Sequence, residues 1–338
     1  MNLDGLKRWG QQRQLRPEVA AAMRNPAEYD PFSTNMSLSP LEEATSGLAA
    51  SLKAMPDEIY FFGSGRLAHQ IVLAGALKGQ ANREVWASAT SRSEILAGAT
   101  RHLPVDTNGQ VIFEATPSPT LLSRPLVNGE SGAIDAEVHP VEQHFDLSHA
   151  VGILDIPEYS LASLEAHAFG GPTLGIAVIK RDFRFAEPLP TADPKMPSLN
   201  VSESLVFAAA KALESHIELA KSEYERLENF KLQVKHLCDE LGDIDFVTPN
   251  NSAPQLISFS VLYAQGEELA REYERHGFQV ESGSACAASR YEPSHVLVAM
   301  GKLTQGNVRL HVPFDATDND LKEFLEITPA VIKKVREL

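Results

Sequence analysis

The residue best suited to covalent chemistry in this sequence is a cysteine among small neighbours. Residues 282–288 read "SGSACAA", with Cys286 near their centre. Side chains this short cannot fill a core, so the run predicts an accessible loop thiol. The thiolate is cysteine's nucleophilic form, which suits Cys286 to receive a sulfur atom and pass it on. The residue can equally be a small filler in a Gly/Ser/Ala turn, since free cysteine is often inert. The other cysteine, Cys238 in "QVKHLCDEL", sits in a helical pattern and reads as a small buried hydrophobe. Two cysteines so far apart predict no structural disulfide and a reducing, cytoplasmic setting.

Further polar groups cluster upstream. "HFDLSHAVG", residues 144–152, places His144 and Asp146 on one face of a strand, with His149 beyond. His139, His144 and His149 recur every five residues but form no compact ligand set of the zinc type, so no metal is predicted. Residues 161–182, "LASLEAHAFGGPTLGIAVIKRD", read as a helix-to-strand passage: His167, Ala168, a turn at Gly170, Gly171 and Pro172, then an apolar run over 176–179. Lys195 falls in the Pro-rich stretch 185–200, where a lysine is ordinarily solvated.

The elements that must position these groups alternate. Helical patterns cover residues 41–52 and 66–78, and strand patterns cover 58–62, 84–87, 110–114, 120–123 and 144–146. That order predicts parallel pairing in an α/β lobe. Residues 201–241 carry helical periodicity, as one long helix or two in series. Beyond them come strand 256–260, helix 265–276, strand 278–281, helix 292–300, strand 307–311 and helix 318–334, a smaller α+β lobe. The predicted division is a large domain over 1–210 and a small one over 211–338. With 338 residues, 43% apolar and 22% charged, the chain has a globular composition. Its formal charge of −15 argues against nucleic acid or an anionic membrane as partner. No apolar run approaches the roughly 18 residues of a membrane span.

The segment "VESGSACAASRYEPSHVLVAMG" resembles the active-cysteine loop of the cysteine desulfurases, class V aminotransferases of PLP fold type I. Their Ser-Gly-Ser-Ala-Cys is followed by Glu-Pro-Ser-x-Val-Leu and later an Arg on a strand, matched here by Cys286, by Glu292, Pro293, Ser294, Val296 and Leu297, and by Arg309. The resemblance implies that Cys286 accepts sulfur as a persulfide and that Arg309 holds a substrate carboxylate. It also implies a fold-type-I large lobe with a mostly parallel sheet, a smaller C-terminal lobe and a homodimer. Asp146 matches the partner of the PLP ring nitrogen, and His149 the place of a Gln that bonds the phenolic oxygen. Asn128 in "LVNGESG" and Ser64 and Gly65 in the strand-loop-helix "IYFFGSGRLAHQ" match further cofactor-site positions. Arg66, in the same loop, can face a phosphate or be solvated.

Other positions depart from the family. His167 fits the residue before the Schiff-base lysine, but the lysine position is Ala168, which cannot form an imine. Arg92 stands where the ring-stacking His belongs, and an arginine can stack but loses the acid–base function. The Arg-Ser-Gly-Thr loop is replaced by "PSLN" at 197–200. PLP is therefore implied by the resemblance yet lacks its anchor. Three readings remain. The first is a sulfur-mobilising relative without ordinary PLP catalysis: a persulfide carrier, an iron–sulfur scaffold or the partner of an active desulfurase. It would take sulfur from a small thiol or persulfide donor and serve an acceptor protein. The second is a working PLP enzyme with a substituted or engineered lysine position, and the third a non-enzymatic ligand-binding relic.

Overall fold

A computed structural model describes residues 6–10, 15–24, 40–114, 119–189, 201–283 and 293–337. Cys286, Glu292, Lys195 and the stretch 197–200 lie outside the described residues. The strands are β1 (Lys7–Arg8), β2 (Ile59–Phe62), β3 (Glu84–Ser88), β4 (Arg101–Leu103), β5 (Thr120–Pro125), β6 (Glu142–Asp146), β7 (Leu161–Glu165), β8 (Gly175–Ile179), β9 (Ile244–Phe246), β10 (Leu256–Val261), β11 (Phe278–Gln279), β12 (Glu281–Ser282) and β13 (Asn307–His311). The α-helices are α1 (Pro17–Arg24), α2 (Pro40–Ser51), α3 (Gly65–Gly79), α4 (Ser93–Gly98), α5 (Glu203–Leu241), α6 (Gly266–Arg275), α7 (His295–Ala299) and α8 (Asp318–Arg336).

The large lobe is an α/β sheet of seven strands in the order β2-β8-β7-β6-β5-β3-β4. From β4 to β7 neighbouring strands pair in parallel, while β8 runs antiparallel to both β7 and β2. Every residue of β5, β7 and β8 is buried. That is the expected state of a sheet covered on both faces, whose strands lose the polar alternation of a half-exposed sheet. This explains one correction. Residues 161–165, expected as helix, form β7, because a strand buried on both faces with Leu161 and Leu164 three apart mimics helical spacing. Only a short 3-10 turn, Ala166–Phe169, follows it, closed by Gly170 at φ +88°.

Two other expectations change. Residues 110–114 form no strand beyond an isolated bridge between Val105 and Val111. The chain there is a turn in which Asp106 Oδ1 accepts the amides of Asn108 and Gln110, each at 2.9 Å. Residues 278–281 split into β11 and β12, which pair with different partners, β1 and β13. The helix expected over 292–300 is the shorter α7, where Ser294 Oγ accepts the Leu297 amide and so caps the first turn.

Helix α5 is one unbroken element of 39 residues, and residue 210 falls inside it. Its first half packs Val206, Ala209 and Leu213 into the large lobe's core. Its second half gives Leu227, Phe230, Val234 and Cys238 to the small lobe's core. The small lobe carries a four-stranded sheet, β12-β13-β10-β9, antiparallel throughout. The N-terminal strand belongs with it: β1 pairs with β11, and Trp9 lies with its ring centroid 4.9 Å from Phe278 and 5.0 Å from Phe324. Trp9 is 2% exposed. Replacing it with alanine removes the aromatic centre of this core, so Trp9→Ala should lower unfolding free energy by about 3–5 kcal/mol in urea denaturation. An unchanged midpoint would mean that the N-terminal strand contributes nothing to the small lobe.

Candidate functional site

A cavity of about 600 Å³ opens at the carboxyl ends of the parallel strands, the usual ligand position in open α/β sheets. Its large-lobe wall includes Arg92, Asn128, Asp146, His149, Glu165 and His167, with Arg66 at the start of α3. Gly283, Pro293, Ser294, His295 and Val296 close it from the small lobe. Among the described residues no lysine lines it. A second cavity, about 500 Å³ beside Lys53, Asp155 and Tyr224, shares none of these residues.

Asp146 ends β6 at the floor, 3% exposed. A carboxylate this deep needs compensation on both oxygens. Its Oδ1 accepts from the Ser148 amide at 2.9 Å and the Ser148 hydroxyl at 2.5 Å. Its Oδ2 accepts from Arg92 Nε at 2.7 Å. Burial alone would raise the Asp146 pKa, but the Arg92 charge, with the Ser148 bonds, holds it well below the usual carboxylate range. Arg92 precedes α4, and its Nη1 also reaches Glu165 Oε2 at 3.2 Å. Burial works against the Arg92 charge, yet Asp146 and Glu165 raise its pKa further and fix it as a guanidinium. One cation is thus shared by two carboxylates.

Glu165, missed in the sequence, is the last residue of β7 and 8% exposed. A helical reading of 161–165 hides it, whereas a carboxylate ending a buried apolar strand is the signal that points to it. Its side chain lies over Gly65, where a Cβ would come within 1.7 Å of Glu165 Cγ, so the first turn of α3 requires glycine there. His167 Nε2 is 3.0 Å from Glu165 Oε2. Burial lowers the His167 pKa, while Glu165 acts in the opposite direction.

Other predicted positions serve structure. Ser64 does not line the cavity but caps α3, accepting the Leu67 amide at 3.3 Å. Ala168 is buried in the turn after β7 and is likewise not on the wall. Asn128 lines the cavity but also builds its turn, accepting the amides of Glu130 and Ser131 and donating to the Thr90 carbonyl, each at 2.9 Å. His149 lies over Gly129, where a Cβ would sit 2.5 Å from its Nε2, and packs edge-on against His311. His144, the middle residue of the spaced histidine trio, is buried with both ring nitrogens bonded to Ser123 and Ser163 at 2.7 Å, and burial pushes its pKa down to about 3.

Arg309 lies behind the wall rather than on it. Its Nη1 meets Glu130 Oε2 at 3.0 Å, and its Nη2 donates to the Ser282 carbonyl at 2.9 Å. Ser294 donates to the same Glu130 oxygen at 2.6 Å. Glu130, from the large lobe, therefore joins two small-lobe groups, and His295 Nε2 lies 2.9 Å from the Ser91 carbonyl beside it. The carboxylate that Arg309 holds in this structure belongs to the protein itself.

The fold is that of NifS-like proteins. It superposes on a NifS-like protein with a TM-score of 0.82 over 98% of this chain and 100% of that one, at 19% identity. It also superposes on a NifS-like protein from Rickettsia africae with a TM-score of 0.79 over 97% and 99%, at 17% identity. No family model matches the chain. In sequence the chain is similar to the cysteine desulfurase IscS of Dictyoglomus turgidum, 26% identical over 96% of this chain and 93% of that protein. A cysteine desulfurase of Cereibacter sphaeroides is 28% identical over 83% and 81%. The resemblance carried by the cysteine loop thus extends along nearly the whole chain. No helix among the described residues is long and apolar enough to cross a membrane.

Removing one member of a buried ion pair strands the other. Arg92→Ala should therefore cost roughly 3 kcal/mol of stability, and adding Asp146→Asn should recover a large part of that loss. Urea denaturation of the two single variants and the double variant measures this. Purely additive losses would show that the two side chains are not coupled.

Proposed function

We propose that this chain is a sulfur-handling relative of the cysteine desulfurases that works without PLP, with Cys286 as the carrier of a persulfide. The observation that carries this reading is the Arg92 guanidinium on Asp146. In the desulfurases that aspartate serves the cofactor's ring nitrogen. Here one of its oxygens is held by Arg92 and the other by Ser148. The residues present do not fit PLP: its acidic partner is already neutralised, Ala168 stands at the anchor position, and no lysine lines the cavity among the described residues. Arg309, engaged by Glu130, is likewise no longer free to clamp a substrate carboxylate.

The remaining chemistry is thiol exchange. A Cys286 thiolate attacks the terminal sulfur of a small persulfide donor. One S–S bond forms on Cys286, the donor's S–S bond breaks, and the donor leaves as a thiolate with no net change in oxidation state. A thiolate on an acceptor protein then removes the sulfur by the same exchange. A soluble homodimer in a reducing compartment is part of this reading. A working PLP enzyme, the competing reading, requires Arg92 to leave Asp146 and an amine to enter the cavity from elsewhere.

The test is persulfide loading followed by intact-mass measurement. Incubation with cysteine persulfide should add one sulfur per chain, and Cys286→Ala should abolish the addition. Cys238→Ala should leave it unchanged, because that thiol is buried and its pKa is pushed up to about 12, mainly by burial. Added PLP should make no difference. Sulfur loading that survives Cys286→Ala, or that appears only with PLP, would overturn the proposal.

A further inference from the structure

Behind the Arg92–Glu165 contact, a chain of buried side chains ends on an imidazole nitrogen of His69. Ser123 on β5 lies 2.7 Å from His144 Nδ1 on β6. His144 Nε2 lies 2.7 Å from the hydroxyl of Ser163 on β7, which in turn lies 2.6 Å from His69 Nδ1 on α3. All four side chains are fully buried. His69 Nε2, at the end of the line, has no hydrogen-bond partner among the described residues. An imidazole nitrogen left this way in a fully buried site needs an explanation.

The neighbours of His69 supply one. Ligand atoms of His69, Glu94 and Glu165 all lie within 4.8 Å of one another. His69 stands one turn beyond Gly65 on α3, on the helix face that Glu165 crosses. Glu94 is in the first turn of α4, half-buried at the cavity wall. The Ser163 hydroxyl has one hydrogen to share between two imidazoles, so the line carries its protons in one direction or the other. In the direction that runs His69 to Ser163 to His144 to Ser123, Nδ1 donates and Nε2 keeps a bare lone pair. That is how an outer hydrogen bond fixes the tautomer of a metal-ligating histidine.

We propose that His69 Nε2, Glu94 and Glu165 bind a divalent transition-metal ion of the zinc type, with the cavity supplying an open fourth position. One nitrogen and two carboxylates form a donor set suited to such an ion. Ligand atoms on bonds of about 2.0–2.1 Å stand about 3.4 Å apart in a tetrahedron, so the site closes by roughly an ångström on binding. The half-exposed Glu94 side chain can make that movement. Arg92 Nη1, 3.2 Å from Glu165, is the competing cation and would be released from Glu165 while its Nε keeps Asp146. The inference does not rest on sulfur transfer and stands or falls separately from it.

The experiment is zinc titration of the full-length Cys286→Ala protein, the substitution excluding the loop thiol as a ligand. Calorimetry should give one Zn²⁺ per chain, and His69→Gln and Glu94→Gln should each weaken it at least tenfold. Glu94→Gln, on a partly exposed residue, keeps the test valid if His69→Gln fails to fold. No saturable binding at millimolar zinc, or binding of the same strength in a folded Glu94→Gln protein, would overturn the inference.

Discussion

A carboxylate at the end of a central strand sets the terms for everything around it. Asp146 lies at the carboxyl edge of β6, under the small lobe and almost out of contact with solvent. An ionised group in that position costs several kcal/mol unless a counter-charge and hydrogen bonds meet it. Ser148, two residues on, provides local bonds, and Arg92, at the end of the β3–α4 connection two strands along, provides the charge. The guanidinium is long enough to engage Glu165 at the end of β7 as well. The ends of three strands are thereby tied through one side chain. Within the cavity, Asp146 is therefore already paired.

The two lobes meet through a second shared carboxylate. Glu130, on the turn that Asn128 organises, receives Arg309 from β13 and Ser294 from the cap of α7. Arg309 thereby helps to hold one lobe on the other. The long helix α5 supports the same arrangement from behind, because its two halves belong to different cores. The segment carrying Cys286 is joined to this frame at Gly283 and Pro293, both on the cavity wall.

Much of this was legible in the sequence. Asp146, His149, Asn128, Arg92 and His167 were singled out by motif, and they line one cavity. The strand–loop–helix from 59 to 79 follows from an apolar run ending in Gly-Ser-Gly, and the close approach of Glu165 accounts for Gly65. Glu165 and His69 were not legible. Glu165 sat in a run whose apolar spacing fits a helix as well as a fully buried strand, and periodicity cannot separate the two in so few residues. His69 lies on an ordinary helical face, and only pairing of β5, β6 and β7 brings Ser123, His144 and Ser163 into line with it. The role expected for Arg309 comes from the family resemblance, while its partner Glu130 is 179 positions earlier in the sequence.

The central claim is that Arg92 has taken the cofactor's partner and that the chain does not use PLP. The most direct measurement is a visible absorption titration of the purified full-length protein with PLP, followed by borohydride reduction and peptide mass mapping. The account predicts the spectrum of free PLP at every concentration and no reduced adduct within the cavity. A saturable aldimine band, with the reduced cofactor attached to one lysine, would contradict it, and would mean that another amine enters the cavity and that Arg92 yields Asp146 to the ring.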